Sequence, residues 1–419
     1  MSGSLRIGFF SDTYTPQING VVTSIRLFAS ALERQGHSVY IFAPTPRQLE
    51  DGPHIVRIPS VPFAFQPEMR LAPIYSPYAY TLVRHANLDI IHSHDPFGIG
   101  FFGLAMARRF RVPYVHTYHT LYPEYVHYVW ESRLTRNWAA RLSRDFCDQC
   151  DLVIAPSTKI ERALHGWGVT APLRTLATGV DLDRYRSVDP AAAAALRTRL
   201  AIPATDHVLT FVGRLGREKN IDLLIDAMAH VRSVGARLLL VGNGPHREEL
   251  ERHVRELALQ DKVTFAGYLE PGEVAAAYAT ADAFFFASTS ETQGLVIAEA
   301  MACGLPVVAV DDLAVADAVT DGENGLLVAP DARALAAGAD RVMGDPGLRE
   351  RMGASACARA EDLGIDRQAE RLVALYREQI AAKPAPRRGH LVRVPGAVRI
   401  ERHLAALRRR GRRLVRRYL

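Results

Sequence analysis

The chain has 419 residues, 48% hydrophobic and 23% charged, which is the balance of a folded globular protein and enough length for two domains. No run approaches the roughly 20 apolar residues of a membrane span. The start MSGSLRIGFF lacks the order of a secretion signal, and four cysteines are too few for a disulfide framework, so cytoplasmic residence is expected. The net charge of +6 is unevenly placed. Residues 387–419 hold twelve Arg and one Glu, which leaves the rest of the chain acidic by −5, so the terminal segment is the part expected to meet an anionic partner.

Strand and helix alternate along the chain, twice over. An apolar strand covers residues 5–10. The turn-rich SDTYTPQINGVV follows, then a helical pattern over 23–35 ending at Gly36, then a strand over 38–43. Residues 60–77 carry Phe63, Phe65 and Tyr75 among prolines at 62, 67, 73 and 77, with Pro59 just before the stretch and Tyr78 just after it. With no periodicity, this stretch reads as an irregular loop packed by its own aromatics or lining an apolar substrate site. Further strands are expected over 88–91, 113–116, 151–155 and 174–177. Short β-rich runs separated by helix-length segments predict a parallel sheet.

The second half repeats the plan. A strand over 207–212 leads to the helix KNIDLLIDAMAHV; ARLLLVG, KVTFAG, ADAFFFAS and PVVAV are strands separated by helices. The boundary falls between about residues 184 and 200. The expected fold class is α/β with two Rossmann-like domains, 1–186 and 187–365, facing each other across a cleft. A helix over 366–383 is expected to return to the first domain. KPAPRRG breaks that helix, and a basic tail over 384–419 follows. In the tail Ile400, Leu404, Leu407, Leu414 and Tyr418 recur at helical spacing with most arginines off that face, which predicts an interfacial helix on an anionic membrane.

The strongest chemical signal is FFFASTSETQGLVIAEAMACGLPVVAV. Gly294 and Leu295 stand where a helix begins after a strand and loop, so unpaired backbone N–H groups and the helix dipole suit a diphosphate. Glu291 precedes that point and Glu299 lies one turn into the helix; two carboxylates beside an anion site suit a hydroxyl-rich ligand. In FVGRLGREKNID, Arg214 and Lys219 follow a strand end, where cations can stabilise a departing diphosphate. Gly20 in PQINGVV lets backbone approach a phosphate. His119 lies just past a strand at the cleft edge and is read as an active-site hydrogen-bonding group, with His116 structural. A metal site on His92 and His94 is disfavoured on the expectation that strand alternation separates the two rings. Cys147 and Cys150 have no second CxxC, which argues against zinc.

Together these motifs resemble retaining glycosyltransferases of family 4, which have the GT-B fold. The resemblance covers most of residues 5–381, and its most specific element is Glu291-x7-Glu299 followed by AMACGLPVVA; VGNGP, TGVDLDRY and NGLLV also match. It implies that Arg214 and Lys219 hold the donor phosphates and that Glu291 binds hydroxyls of the donor hexose. It further implies that Glu299 binds the nucleotide ribose and that Gly20, Gly294 and Leu295 offer N–H groups to the donor. His119 matches the family's active-site histidine. The nucleotide-sugar is a co-substrate, no cofactor or divalent metal is implied, and the donor's α configuration is retained.

RIGFFSDTYTPQINGVVTSIR, VHTYHTLYPEYVHY and SETQGLV resemble the diacylglycerol glucosyltransferase branch, implying a lipid acceptor and UDP-glucose or UDP-galactose as donor. That branch often carries a basic amphipathic helix near residues 65–90, where this chain has only Arg70, Arg84 and His85. The alternatives are a soluble or polyprenol-linked acceptor, GDP-mannose as donor, and nucleic-acid binding through the tail. The last is disfavoured because Tyr418 is the tail's lone stacking aromatic and the body is acidic. A nicotinamide oxidoreductase would need the glycine fingerprint that the first strand lacks.

Overall fold

The computed structural model describes residues 3–17, 19–45, 54–63, 66–73, 76–125 and 133–382. The Arg-rich tail with its expected helix lies outside the described residues, as do Phe65 and Tyr75. The N-terminal half runs β1 (Arg6–Phe10), α1 (Gly20–Arg34), β2 (Ser38–Pro44), β3 (Ile55–Ile58), β4 (Val61–Phe63), β5 (Gln66–Leu71), α2 (Pro77–Ala86) and β6 (Ile90–Ser93). It continues with α3 (Gly98–Phe110), β7 (Tyr114–Thr117), α4 (Tyr122–Tyr125), α5 (Arg133–Cys147), β8 (Leu152–Ala155), α6 (Thr158–Gly166) and β9 (Leu173–Thr175).

The second half runs α7 (Leu182–Arg186), α8 (Pro190–Arg199), β10 (His207–Val212), α9 (Ile221–His230), β11 (Ala236–Val241), α10 (Arg247–Glu256), β12 (Val263–Gly267) and α11 (Pro271–Ala279). Then come β13 (Ala283–Phe286), α12 (Leu295–Ala302), β14 (Val307–Val310), α13 (Leu313–Ala316), β15 (Gly325–Val328), α14 (Ala332–Gly344), α15 (Pro346–Asp362) and α16 (Ile365–Ala382).

Two parallel sheets result, ordered β3-β2-β1-β6-β7-β8-β9 and β12-β11-β10-β13-β14-β15. Every residue of β6, β7, β8, β13 and β14 is buried, as strands covered on both faces require. In the first sheet Phe10, Ile91, Tyr114 and Val153 pack under α2, α3 and α5. Ile7, Phe9, Ile90, Val115 and Ile154 face the other way, against Ile25 and Leu32 of α1 and Leu372 and Tyr376 of α16. The last helix therefore contributes to the N-terminal core.

The strand expected over 88–91 is Ile90–Ser93. Asp89 is drawn off the strand line because its side chain accepts the Arg6 N–H at 2.8 Å. The strand expected over 174–177 is Leu173–Thr175. The stretch read as an irregular loop contains the antiparallel hairpin β4–β5. These two strands pair only with each other, so prolines 62 and 67 fit where no ladder N–H is needed. Arg70 ties the hairpin back, donating to Ser60 Oγ at 2.9 Å and Ser60 O at 2.8 Å.

The chain crosses between the domains twice, and the crossings touch. Val180 N–H donates to Leu363 O at 2.8 Å, and Ile365 N–H donates to Val180 O at 2.9 Å. A Cβ on Gly179 would come within 2.3 Å of Ile365 Cα, so this approach requires glycine.

Candidate active site

In the C-terminal sheet the strand order reverses between β10 and β13, the position where open α/β sheets bind ligands. Two loops rise there. The loop after β10 forms a short 3-10 turn, Arg217–Lys219, stopped by Asn220 at φ 53°. The loop after β13 ends at Gly294, which starts α12 at φ 75°, where a side chain would be strained. Among the described residues no side chain caps α12, so its first-turn N–H groups at Gly294 and Leu295 lack a capping side chain.

The two loops are joined by an ion pair. Lys219 Nζ lies 2.5 Å from Glu291 Oε1, both side chains mostly covered. Arg214 reaches Glu218 Oε1 at 2.5 Å and stays largely open to solvent. The Ser290 hydroxyl donates to Glu218 O at 2.8 Å, which fastens the Glu291 loop to the Lys219 turn. Arg214, Lys219, Glu291, Gly294 and Leu295 are thus gathered at one strand edge. Glu299 lies deeper: its carboxylate accepts the Tyr278 hydroxyl at 3.0 Å and is also hydrogen-bonded by Tyr185. Burial raises its pKa, against the lowering effect of the two tyrosines. Sequence reading missed both tyrosines, which come from α11 and α7.

The N-terminal sheet contributes the ends of β1, β6 and β7. His119 follows β7; its Nε2 lies 3.0 Å from Nδ1 of His94, which follows β6, and the rings stack 5.3 Å apart. Desolvation pushes the His119 imidazole down to about 4, so it is neutral at neutral pH. His92 stacks on His94 with centroids 4.4 Å apart, which corrects the expectation that alternation separates them: residues two apart share a strand face. His92 is already engaged with Tyr376 Oη at 2.5 Å and Thr117 Oγ1 at 2.7 Å. Among the described residues no three His, Cys, Asp or Glu side chains are grouped to hold a metal ion. His116 is buried with Nδ1 2.8 Å from Ser93 Oγ. Gly20 is the first residue of α1, and a Cβ there would meet no protein atom within 4 Å, so packing does not demand a glycine.

Two carboxylates went unread. Asp12, after β1, accepts the Ile99 N–H at 2.9 Å and the Gly100 N–H at 3.2 Å at the start of α3. Asp95, after β6, accepts the Ser11 hydroxyl at 2.6 Å and the Asp12 N–H at 3.0 Å. Burial, then the neighbouring Asp95, raises Asp12 to about 7. An acid two residues past each strand end, in FFSD and HSHD, was the available signal.

The outer rim of this edge is apolar. Phe101 of α3 meets Phe146 of α5 edge-on at 5.1 Å, and Arg108 meets Gln149 just beyond α5 at 3.0 Å, so the helices run the same way. Leu142 and Trp138 precede Phe146 by one and two turns and stand toward the strand ends, where Tyr118, next to His119, bonds Ser143 at 2.7 Å. Trp138 is 63% exposed and Leu142 48%, with Phe97 and Phe101 exposed beside them.

The carboxyl ends of the two sheets face each other. Ser157 and Lys159, after β8, bond carbonyls of the loop after β13. Two Rossmann-like domains with the carboxyl ends of their parallel sheets turned toward each other define the GT-B glycosyltransferase architecture. Residues 18–184 match the family described as Glycosyltransferase Family 4, and residues 193–359 match that described as Glycosyl transferases group 1. The chain is 38% identical to the alpha-monoglucosyldiacylglycerol synthase of Streptococcus pneumoniae, over 73% of this chain and 71% of that protein. It is 32% identical to the enzyme of that name from Acholeplasma laidlawii, over 77% and 84%. The solved sucrose-phosphate synthase of Thermosynechococcus elongatus superposes with a TM-score of 0.71 at 28% identity, over 90% of this chain and 99% of that one. The chain belongs to glycosyltransferase family 4 and is a transferase.

Proposed function

We propose that this enzyme moves a hexose from a nucleotide-sugar, UDP-glucose or UDP-galactose ahead of GDP-mannose, to a membrane lipid, diacylglycerol first, with retention of configuration. The observation that carries the donor half is the cluster of Arg214, Lys219 and Glu291 at the uncapped start of α12. The cations and the N–H groups of Gly294 and Leu295 take the diphosphate, and charge growing on it as the glycosidic bond breaks is stabilised there. Glu291 accepts hexose hydroxyls, Glu299 the ribose, and Gly20 brings α1 backbone to the donor. His119, neutral and half-buried, hydrogen-bonds near the sugar. The leaving diphosphate takes the acceptor's proton on the face it departs from, so the protein supplies positioning and leaving-group stabilisation. The reading requires no metal or other cofactor.

The lipid half is supported by the two relatives' names and by the exposed Trp138, Leu142, Phe97 and Phe101 beside the strand ends, a surface suited to apolar chains. Residues 387–419 add a basic segment for an anionic membrane. The enzyme would work peripherally at the cytoplasmic membrane face, carried there by this basic segment. No helix among the described residues is long and apolar enough to cross a membrane. The test is incubation of the purified full chain with vesicles containing diacylglycerol and each of UDP-glucose, UDP-galactose and GDP-mannose, read by mass spectrometry. A hexosyl-diacylglycerol from a UDP-hexose is expected. Transfer only from GDP-mannose, or only to a water-soluble acceptor, replaces the respective half of the reading.

A further inference from the structure

The loop between β13 and α12 is shared by both domains. Ser288 and Ser290 bond Glu218 O at 3.3 and 2.8 Å, on the turn that carries Lys219. The neighbouring positions are held from the other domain. Lys159 Nζ of α6 donates to Thr289 O at 2.5 Å and to Asp312 Oδ2 at 2.9 Å. The Ser157 hydroxyl donates to Thr292 O at 2.5 Å. The Gln293 side chain makes a two-way pair with the Thr178 backbone, accepting its N–H at 2.8 Å and donating to its carbonyl at 2.7 Å. Thr178 Oγ1 lies 2.8 Å from Ser24 Oγ of α1, the helix that begins at Gly20. Glu291 lies between these anchors.

A cavity of about 250 Å³ opens beside the last residues of the loop, Gln293 and Gly294, bounded by Thr175, Leu176 and Ala177 of the first domain and by Arg359 and Arg371. Hydrogen bonds from both domains contribute to fixing where the loop stands. Of these, the Lys159 contacts are mostly covered from solvent, its side chain 15% exposed, and they are charge-assisted.

We propose that Lys159 is a positioning residue for donor-sugar selectivity: by holding Thr289 and Asp312 from the N-terminal domain, it sets the Glu291 carboxylate where it reads the hexose hydroxyls. Glu291 then occupies its reading position only when the domains stand in register, so sugar recognition depends on their arrangement. This rests on the assignment of Glu291 to the hexose. Lys159 touches neither donor nor acceptor in this scheme; it acts through the loop. Misplacing a recognising carboxylate by about 1 Å is worth on the order of 100-fold in rate.

The test uses the full chain and four proteins: wild type, Lys159→Met, Lys159→Arg and Glu291→Gln. The readouts are kcat/KM for UDP-glucose and for its 4-epimer UDP-galactose, the Kd of free UDP by calorimetry, and the thermal midpoint. Lys159→Met should lower kcat with the preferred donor about 10-fold or more and pull the selectivity ratio toward one, while free UDP binds within about 2-fold of wild type. Lys159→Arg, which keeps a donor to Thr289 and Asp312, should restore most of the ratio. A structural role alone would move the thermal midpoint and leave the ratio unchanged. If Glu291→Gln collapses the ratio and Lys159→Met leaves ratio and kcat as in wild type, the positioning role is overturned and the Glu291 assignment stands. If Glu291→Gln itself leaves the ratio unchanged, the Glu291 assignment is wrong and the proposal falls with it.

Discussion

Lys219 and Glu291, 72 residues apart in the chain, form a 2.5 Å ion pair that closes the gap between the loops after β10 and β13. In the proposed reaction the ammonium goes to the diphosphate and the carboxylate to the sugar, and without donor each residue neutralises the other. Lys219→Ala should cut turnover on the order of 100-fold or more, the scale of losing one transition-state charge contact. Steady-state kinetics on folded protein check this, and near-normal turnover would remove Lys219 from the leaving-group site.

The two carboxylates of the Glu-x7-Glu segment should separate by ligand. Glu299→Ala should weaken binding of free UDP or GDP, because in the proposed reading its carboxylate, held in place by Tyr278 and Tyr185, takes the nucleotide ribose. Glu291→Ala should leave that binding nearly intact and disable transfer. Calorimetry with both nucleotides decides; equal losses in both variants refute the division of labour.

Acid should destabilise the N-terminal domain through its histidines. His92, His94, His116 and His119 all have their pKa values lowered, first by desolvation, from an ordinary 6.5; His116 falls to about 3 and His119 to about 4. The folded state keeps them neutral while the unfolded state takes up protons below 6.5, so stability is full above that pH and falls as pH drops toward 4. The urea midpoint should therefore fall between about pH 7 and about pH 5, and less steeply in His119→Gln. A flat profile would contradict the buried stack.

Asp12 should act in the opposite sense. Its pKa is raised from 3.8 to about 7, so between those values the folded state binds the proton and the unfolded state does not. Its contribution is present below 3.8 and is lost as pH rises through 7. Wild type should thus lose stability relative to Asp12→Asn on going from about pH 5 to about pH 8, measured as the difference in urea midpoint. A constant difference would show that Asp12 is ionised throughout.

The tail gives the fifth expectation. Attraction to anionic lipid is worth roughly 1 kcal/mol per basic residue near the surface, so half of its arginines supply on the order of 5 kcal/mol. The full chain should float with vesicles in proportion to anionic lipid and be released by salt. A chain ending at Pro386 should not float, and donor hydrolysis in solution should survive. Equal flotation of both chains would move the anchor elsewhere, to the aromatic stretch at residues 60–78 or to the exposed Trp138 and Leu142 edge.

What could be read in the sequence was local. The run from Phe284 to Val310 shows strand, loop, helix start and exit strand because its apolar blocks, Gly294, Gly304 and Pro306 are all consecutive. The hairpin of β4 and β5 was missed because two short strands pairing only with each other carry no periodicity, and their prolines argue for a loop. The His92–His94 stack was legible and was misjudged by counting two residues as a change of face. Lys159 was illegible for a different reason: its partner carbonyl lies 130 residues away, and a lysine at a helix start looks the same whether it meets solvent or another domain.

The paired crossings at Val180 and Ile365 limit how the two halves can move. Two segments bonded side by side by their backbones share one short line. Rotation about that line strains only a few torsions, whereas sliding would break both bonds and drive Gly179 into Ile365. The paired crossings therefore act as a single pin that permits a swing and bars shearing, while the Lys159 and Ser157 bonds across the cleft hold the present register. A swing moves the far edges most and the near edge least, so Gln293, bonded to Thr178 beside the pin, travels little while β3, at the opposite edge of the first sheet from β9, travels most.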